Sequence, residues 1–361
     1  MIGAAAKILV AQTSFLGDTV LTVPLLAELR RRFPAARLAL LCTGQGAELL
    51  AGHPDIDEII VDDKRRADRG LRGLLRKAAE LRARGFDLAV TPHKSLRTAL
   101  LLYLARIPRR AGFRQSRGWF LFNLRTDRDP ARHDVERNLS VVRALGVPPE
   151  DCGRTLRLPS SPADVAAAGE LLRAAGVDDG KPIIGLNPGS VWPTKKWPAQ
   201  SFARLAELLK LEMDCEIVVF GGPEDAAVAA EIQAACAARV TSLAGKTSLR
   251  LLSAALGGCR LLVTNDSGPM HIAVARGIPV VAIFCATTPA LGFYPYSARA
   301  IVVEKKLPCR PCGSHGGRRC PLGTEDCSRL IPPEAVLAAA RELLRDGAEG
   351  AAGYAPRVVS L

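Results

Sequence analysis

The sequence predicts an α/β protein with two Rossmann-like domains, each built on a parallel sheet. Its 361 residues exceed what one hydrophobic core of ordinary size holds. Apolar runs of strand length alternate with helical segments along most of the chain, and this alternation is typical of βα units joined by right-handed crossovers. The two series join near residues 159–179, so we place the domains at residues 1–170 and 171–345.

In the first domain, apolar runs predict strands at residues 7–11, 37–42, 58–61 and 88–91. Between the first two runs, residues 24–32 predict a helix, because Leu25, Leu26 and Leu29 fall on one face.

The second domain repeats the pattern. Strands are predicted at residues 182–186, 216–220, 260–264, 279–284 and 300–303. Helices are predicted at residues 201–210, 225–237 and 332–344. Residues 346–361 are rich in Gly and Ala, which predicts a flexible tail.

The positive charge of the chain is concentrated in one stretch. The formal net charge is +13, and residues 64–125 hold seventeen Lys and Arg against three acids. Such a stretch suits nucleic acid, an anionic membrane surface or a phosphorylated acceptor, and a solvated basic face is the alternative. The stretch lacks regularly spaced aromatic residues and any nucleic-acid reader motif. We therefore expect no nucleic acid partner and favour an anionic acceptor at a membrane.

Hydropathy predicts a cytoplasmic protein. The best candidate for a membrane span, residues 99–105, is far too short and is flanked by arginines. The apolar run at residues 8–11 leads into Gly17 and Asp18 without a cleavage-like site, which predicts a first strand rather than a signal peptide.

The most informative motif spans residues 261–271. A short apolar run ends in Asp266, Ser267 and Gly268, and Ala-rich helical sequence follows. This pattern indicates a strand that delivers polar groups to its carboxyl end, next to a helix start whose free N–H groups favour phosphate. We expect Asp266 to face a sugar or ribose hydroxyl and Ser267 to face phosphate. An ordinary strand end with a helix cap is the alternative interpretation.

Residues 13–18 connect the first strand to its helix and place Asp18 where that helix should begin. Gly17 permits a tight turn there. An N-cap role for Asp18 is one interpretation. The other is a general base, since a carboxylate within hydrogen-bond reach can accept a proton from an attacking hydroxyl.

Residues 187–198 form a loop after the first strand of the second domain. Gly189 and Ser190 allow backbone and hydroxyl contacts with an oxyanion, and Lys195 or Lys196 can neutralise a pyrophosphate. Two tryptophans and three prolines around the lysines indicate an ordered loop. The spaced glycines of a P-loop are absent.

Two further loops follow predicted strands. After residues 216–220, two glycines bring the backbone close to a ligand, and Glu224 or Asp225 can hold ribose hydroxyls or an adenine nitrogen. A plain turn is the alternative there. Residues 243–248, which include Lys246 and Thr247, form a second loop of the same kind.

Four cysteines fall within nineteen positions: Cys309, Cys312, Cys320 and Cys327. Among Gly, Pro and Arg residues, this spacing resembles a structural zinc clip, and disulfides are disfavoured in a reducing cytoplasm. The spacing is irregular and His315 is a competing ligand, so free or redox-active thiols are the alternative.

Together, Leu16-Gly17-Asp18, residues 187–198, 265–271 and 308–327 resemble the ADP-heptose:lipopolysaccharide heptosyltransferases of glycosyltransferase family 9. The resemblance runs from residue 7 to about residue 344. It implies a GT-B fold, with an acceptor-binding N-terminal domain and a nucleotide-sugar-binding C-terminal domain facing each other across a cleft. Family members often carry histidines just before the last cysteine, whereas Thr324, Glu325 and Asp326 stand there in this chain.

By this resemblance, Asp18 matches the catalytic base and Lys195 the lysine that contacts the donor phosphates. Donor binding is assigned to Gly17, Gly189, Ser190, Lys196, Glu224, Asp225, Lys246, Thr247, Asp266, Ser267, Gly268 and His271. On charge rather than motif, acceptor binding is assigned to Lys64, Arg65, Lys94, Arg97, Arg110 and Arg114, against phosphates and carboxylates of a lipid A–Kdo core.

The resemblance implies an inverting transfer of heptose from ADP-L-glycero-D-manno-heptose to the inner core of lipopolysaccharide, as in heptosyltransferase II. The protein would act peripherally on the cytoplasmic face of the inner membrane. No cofactor is expected for catalysis, because Lys195, Ser190 and helix amides would meet the charge on departing ADP. Four alternatives remain: a relative that uses another nucleotide sugar, a sugar-nucleotide 2-epimerase, a non-catalytic nucleotide-sugar-binding protein, and a basic membrane-surface scaffold.

Overall fold

The computed structural model describes residues 6–345 and 353–361. The chain divides into two compact units between Arg157 and Leu158. This division falls before the predicted boundary at residue 170, because the helix Pro162–Ala174 belongs to the second unit, where Arg250 donates to Asp164 at 2.7 Å. Within the described residues, no helix has both the length and the apolar content that crossing a bilayer requires.

The first unit is built on a parallel sheet. Its strands are β1 (Lys7–Gln12), β2 (Arg37–Cys42), β3 (Glu58–Val61), β4 (Leu88–Val90), β5 (Arg109–Phe113) and β6 (Leu124–Thr126). They are hydrogen-bonded in the order β3-β2-β1-β4-β5-β6, and each neighbouring pair is parallel. A parallel sheet covered by helices needs strands that are apolar on both faces, and all of β1 after Lys7 is buried.

The four strands predicted for this unit correspond to β1–β4, whereas β5 and β6 were not predicted. β5 begins with two arginines and β6 has three residues, so neither shows a continuous apolar run. Gly112 of β5 lies against the ring of buried Phe122, which a Cβ on Gly112 would approach to 2.5 Å. This close approach explains a glycine inside a strand.

The helices of the first unit are α1 (Leu16–Val20), α2 (Val23–Arg32), α3 (Gly44–Leu50), α4 (Gly70–Arg84), α5 (Leu96–Leu104) and α6 (Asp134–Leu139). The predicted helix at residues 24–32 corresponds to α2, whose Leu25, Leu26 and Leu29 are buried as its spacing predicts. Leu74 and Leu81 of α4 and Leu102 of α5 enter one apolar cluster with residues of β1, β2 and β4.

The second unit is built on another parallel sheet. Its strands are β7 (Ile183–Asn187), β8 (Glu216–Val219), β9 (Thr241–Ser242), β10 (Leu261–Asn265), β11 (Val280–Phe284), β12 (Ala300–Glu304) and β13 (Arg357–Ser360). Their order is β13-β12-β11-β10-β7-β8-β9. The five predicted strands correspond to β7, β8, β10, β11 and β12. Both sheets are therefore parallel, as predicted.

The predicted flexible tail covered residues 346–361, of which 346–352 lie outside the described residues. Arg357–Ser360 is β13, which pairs in parallel with β12 so that Arg357 lies opposite Ile301. The tail prediction is wrong for this segment, since a terminal segment is ordered when it adds to a sheet edge. Two consecutive valines, Val358 and Val359, were the available sequence signal for a strand here.

The helices of the second unit are α7 (Pro162–Ala174), α8 (Ala199–Glu212), α9 (Ala226–Ala235), α10 (Leu249–Gly257), α11 (Gly268–Ala275), α12 (Asp326–Arg329) and α13 (Pro333–Arg345). Three of them, α8, α9 and α13, correspond to the predicted helices. Because β7, β8, β10 and β11 run parallel, the loops that follow them leave the same edge of the sheet. Ligands of open α/β sheets bind at this edge.

We expect Gly112→Ala to lower the free energy of unfolding of the first unit by about 1–3 kcal/mol, because the added methyl group overlaps the ring of Phe122 in a packed core. Urea unfolding followed by circular dichroism measures the change. Gly44→Ala is the matched control, since a Cβ there meets nothing within 4 Å. Equal stability of the two variants would contradict the packing at Gly112.

Candidate functional site

Asp18 lies at the start of α1, directly after β1. It is the third residue of the helix and Phe15 is the N-cap, so the simple N-cap interpretation is wrong. Oδ2 of Asp18 accepts a hydrogen bond from the Phe15 backbone N–H at 3.1 Å, and the side chain of Ser14 donates another. The carboxylate is thus held in one orientation at the carboxyl end of the central strand.

Burial raises the pKa of Asp18 to about 6, and the negative charge of nearby Asp134 adds to the rise. The hydrogen bonds from Ser14 and Phe15 and the charge of Arg128 act in the opposite direction. A carboxylate with this pKa is ionised at neutral pH, yet it binds a proton more readily than an ordinary aspartate. These properties suit a general base.

Asp134 reaches this site from α6. Its Oδ1 accepts from Arg128 Nη2 at 2.6 Å, and Arg137 Nη1 lies 3.6 Å away. Asn138 of the same helix donates to the Leu21 carbonyl at 3.1 Å, which ties α6 to the segment after α1. These residues were not predicted, because they belong to no motif and come near Asp18 only through the fold.

Lys64 and His93 flank the end of β1. Lys64 Nζ donates to the Thr13 carbonyl, and burial lowers the pKa of its ammonium group. The Nδ1 atom of His93 lies 3.0 Å from Thr98 Oγ1. Burial, aided by the charge of Lys64, lowers the pKa of His93 to about 4, so its ring is neutral at pH 7.

The other basic residues assigned to the acceptor fall into two groups. Arg97 donates to Asp62 Oδ1 at 3.0 Å and to the Asp68 carbonyl at 2.9 Å, and Arg110 donates to the Leu121 carbonyl at 2.8 Å. These two guanidinium groups hold the first unit together, and sequence alone did not distinguish them. Residues of the second group, Arg65, Lys94 and Arg114, are exposed.

In the second unit, two asparagines connect the loop after β7 to the loop after β10. Nδ2 of Asn187 lies 3.0 Å from both Thr264 Oγ1 and Ser267 Oγ, and Nδ2 of Asn265 donates to the Pro188 carbonyl at 2.8 Å. The Trp197 backbone N–H donates to Asn265 Oδ1 at 3.1 Å. Neither asparagine was predicted as a site residue, although each ends a buried strand, and this position was the available signal.

Lys195 forms an ion pair with Asp266, Nζ to Oδ2, at 2.7 Å. Thr287 donates to the same carboxylate oxygen at 2.6 Å. Asp266 is buried, and its oxygens hold Lys195 and Thr287. Through Oδ2 the carboxylate positions the lysine, and the expectation that Asp266 faces a sugar hydroxyl stays a prediction.

Thr287 is positioned in turn by Arg310. The buried guanidinium of Arg310 donates to the carbonyls of Phe284 and Thr287 and pairs with Glu304 at 2.9 Å. Thr287 and Arg310 were both missed, since they lie outside the recognised motifs.

Glu224 and Asp225, taken together as candidates from sequence, have different surroundings. Asp225 is buried, accepts from the Gly222 N–H at 3.1 Å and lies 3.5 Å from Lys196 Nζ. A Cβ on Gly189 would come within 2.2 Å of the Asp225 carboxylate, so only glycine fits there. Glu224 is exposed. Asp225 thus supports the loops, and Glu224 is the acid accessible to a ligand.

The remaining donor-site candidates lie at two helix starts. Ser267 is the N-cap of α11, which begins at Gly268. His271 is buried in α11, and burial lowers its pKa to about 4, so the ring is neutral. Lys246 is exposed next to Thr247, in the loop before α10.

The four cysteines do not form the predicted zinc clip. Within residues 6–345 and 353–361, no group of three or more His, Cys, Asp or Glu residues has an arrangement that could hold a metal ion. All ten cysteines are free thiols. Backbone N–H groups of residues 322–325 contact Cys320 and lower its pKa, while burial raises the pKa of Cys327 to about 11. Cys312, Cys320 and Cys327 line a cavity of about 460 Å³ beside Trp197.

Two parallel-sheet α/β units, each with candidate ligand-binding residues at the carboxyl ends of its strands, are the architecture of the GT-B fold class. Residues 74–320 match the family described as glycosyltransferase family 9 (heptosyltransferase), and the chain belongs to this family. The resemblance found in the sequence is thereby confirmed.

Individual relatives agree with this assignment. The chain is 29% identical over 310 residues to lipooligosaccharide heptosyltransferase 2 of Haemophilus ducreyi, covering 82% of this chain and 88% of that protein. A solved glycosyltransferase family 9 structure from Veillonella parvula has a TM-score of 0.84 at 30% identity, covering 95% and 98% of the two chains. E. coli ADP-heptose lps heptosyltransferase II has a TM-score of 0.77 at 26% identity, covering 94% and 99%.

We expect Thr287→Val to lower the free energy of unfolding by about 1–3 kcal/mol, because the buried Asp266 carboxylate loses a hydrogen-bond donor. Chemical denaturation measures the loss. Thr287→Ser keeps the hydroxyl and should retain most of the stability. If Val and Ser destabilise equally, the hydroxyl does not stabilise Asp266.

Proposed function

We propose that this protein transfers heptose from ADP-L-glycero-D-manno-heptose to the inner core of lipopolysaccharide, with inversion at the anomeric carbon. The observation that carries the proposal is the oriented carboxylate of Asp18 with its raised pKa, in a chain of glycosyltransferase family 9. The relatives are named as heptosyltransferases of lipooligosaccharide or lipopolysaccharide, and one is named for ADP-heptose.

The donor would bind at the loop edge of the second sheet. Lys195, Ser190 and the amides at the start of α11 would contact the diphosphate, where positive charge and free N–H groups favour an anion. The exposed Glu224 would contact the nucleoside. Gly189 and Asp225 would shape the loop that receives it.

Asp18 would remove the proton from the acceptor hydroxyl while that oxygen attacks the anomeric carbon. The bond to the diphosphate oxygen breaks as the new glycosidic bond forms, and ADP leaves with the bonding electrons. The Lys195 ammonium group would stabilise the charge that develops on ADP, and preorganised donors of this kind contribute a few kcal/mol each.

The acceptor would be the lipid A–Kdo core, bound by the first unit. Lys64, Arg65, Lys94 and Arg114 would contact its phosphate and carboxylate groups, since Arg97 and Arg110 are engaged internally. Because such an acceptor is anchored in lipid, we propose that the enzyme works peripherally on the cytoplasmic face of the inner membrane.

Asp18→Asn should reduce turnover about 10²- to 10⁴-fold, because the amide cannot accept the proton. The measurement is ADP release together with the mass gain of a lipid A–Kdo acceptor. Donor binding should survive, so ADP-heptose should raise the Tm of the variant as it does that of the wild type. Full turnover in the variant would show that Asp18 is not the general base. A thermal shift with UDP-sugars alone would contradict the donor assignment.

The pH dependence of kcat/KM should show an acidic limb with a pKa near 6, since Asp18 must be ionised to accept a proton. Asp134→Asn removes a neighbouring negative charge, lowers the pKa of Asp18 and should move the limb to lower pH. Arg128 and Lys64 are the other charged groups near Asp18. Asp129→Asn, in the exposed loop before α6, is the control and should leave the limb in place. An unshifted limb in Asp134→Asn would refute the coupling.

A further inference from the structure

One face of α5 exposes apolar side chains to solvent. Leu96 and Tyr103 are seven residues apart, which places them two turns apart on the same side of the helix. They are 45% and 50% exposed. Ala99, which lies between them on this side of the helix, and Leu102 are buried in the core of the first unit. Leu96 and Tyr103 are therefore apolar side chains of α5 that the core leaves uncovered.

A short helical turn, Trp119–Leu121, lies beside α5. A Cβ on Gly118 would approach the Ala99 Cβ to 2.4 Å and a Leu96 methyl group to 3.3 Å, so the turn sits directly on α5. Trp119 and Phe120 are 46% and 58% exposed, and their rings meet edge to face at 6.2 Å. Leu96, Tyr103, Trp119 and Phe120 form what we call the aromatic face.

Cations surround the aromatic face. The guanidinium of Arg125 lies 5.1 Å from the centre of the Trp119 ring, and that of Arg110 lies 5.4 Å from the Tyr103 ring. The backbone N–H of Arg117 donates to the Lys94 carbonyl at 3.1 Å, which brings two more exposed cations beside Leu96. Residues 88–126, which include the whole face, hold eight Lys and Arg and no Asp or Glu.

Exposed aromatic clusters rimmed by charge mark an interaction surface. A protein partner would have to supply acidic groups around an apolar centre. A bilayer with anionic lipids supplies both features without a matching shape: phosphates attract Lys and Arg, and Trp and Tyr rings lie favourably at the headgroup level. Charge complementarity therefore favours a lipid surface as the occupant.

We propose that the aromatic face inserts Trp119 and Phe120 into the headgroup region of an anionic bilayer, with Lys94, Arg117 and Arg125 against lipid phosphates. The inference deepens the proposed function, because a lipid-anchored acceptor lies in such a surface. The binding itself requires neither donor nor acceptor.

The first test is cosedimentation of the full chain with phosphatidylethanolamine vesicles that contain about one-quarter phosphatidylglycerol. Trp119→Ser/Phe120→Ser should weaken binding at least about tenfold, since both inserted rings are lost. Leu211→Ser is the matched control: Leu211 is 80% exposed but lies on α8 in the second unit, so binding should be unchanged. Arg117→Gln should weaken binding less and reduce its dependence on salt.

The second test reports the position of the ring. Lipids brominated near the headgroup should quench the tryptophan fluorescence of the bound wild type. Trp119→Phe keeps an aromatic ring, so this variant should bind with little change but lose the quenching. The other tryptophans are Trp192 and Trp197, and Trp197 is buried.

Three results would each overturn the inference: equal binding by the double serine variant and the wild type, equal binding to vesicles without phosphatidylglycerol, or no vesicle binding by the wild type. The last result would favour an acidic protein as the occupant. Transfer to a water-soluble acceptor without lipid chains separates this inference from the proposed function. The double serine variant should retain this transfer activity. If the wild type showed no transfer, the proposed function would be refuted, and vesicle binding would still test whether the aromatic face binds lipid.

Discussion

The buried carboxylate of Asp266 holds together the loops at the carboxyl ends of the strands in the second sheet. A charge removed from water must be compensated nearby, and Lys195 and Thr287 supply this compensation at 2.7 and 2.6 Å. The ion pair connects the loop after β7 to the end of β10. The hydrogen bond from Thr287 connects the segment after β11 to the same carboxylate, and Arg310 donates to the Thr287 carbonyl. One carboxylate thus connects the loops of three neighbouring strands.

In the first unit, an acid and a histidine lie among many cations. Burial shifts the pKa of both groups. Burial, with a smaller contribution from nearby Asp134, makes Asp18 keep a proton more readily, whereas burial and the charge of Lys64 keep His93 neutral. The same neighbourhood therefore offers a proton acceptor and fixed positive charge. An anionic substrate with a reactive hydroxyl requires both.

Much of the fold could be predicted because apolar runs report strands buried on both faces, as in β7 and β10. Strands β5 and β6 have no such run, because β5 begins with two arginines and β6 has an arginine at its centre, and β13 follows Gly- and Ala-rich sequence. In the site, motif positions such as Asp18 and Lys195 were recognisable. Asp134, Thr287 and Arg310 were not, because their contacts join segments far apart in the chain and leave no local pattern.

The strand at the carboxyl end of the chain has a consequence for self-association. β13 covers one side of β12, whose backbone amides and carbonyls would otherwise offer an apolar, five-residue template to another polypeptide. The covering strand is short and begins with an arginine, so it is itself a poor template. A truncation intended to trim the terminus would remove this shield and favour aggregation.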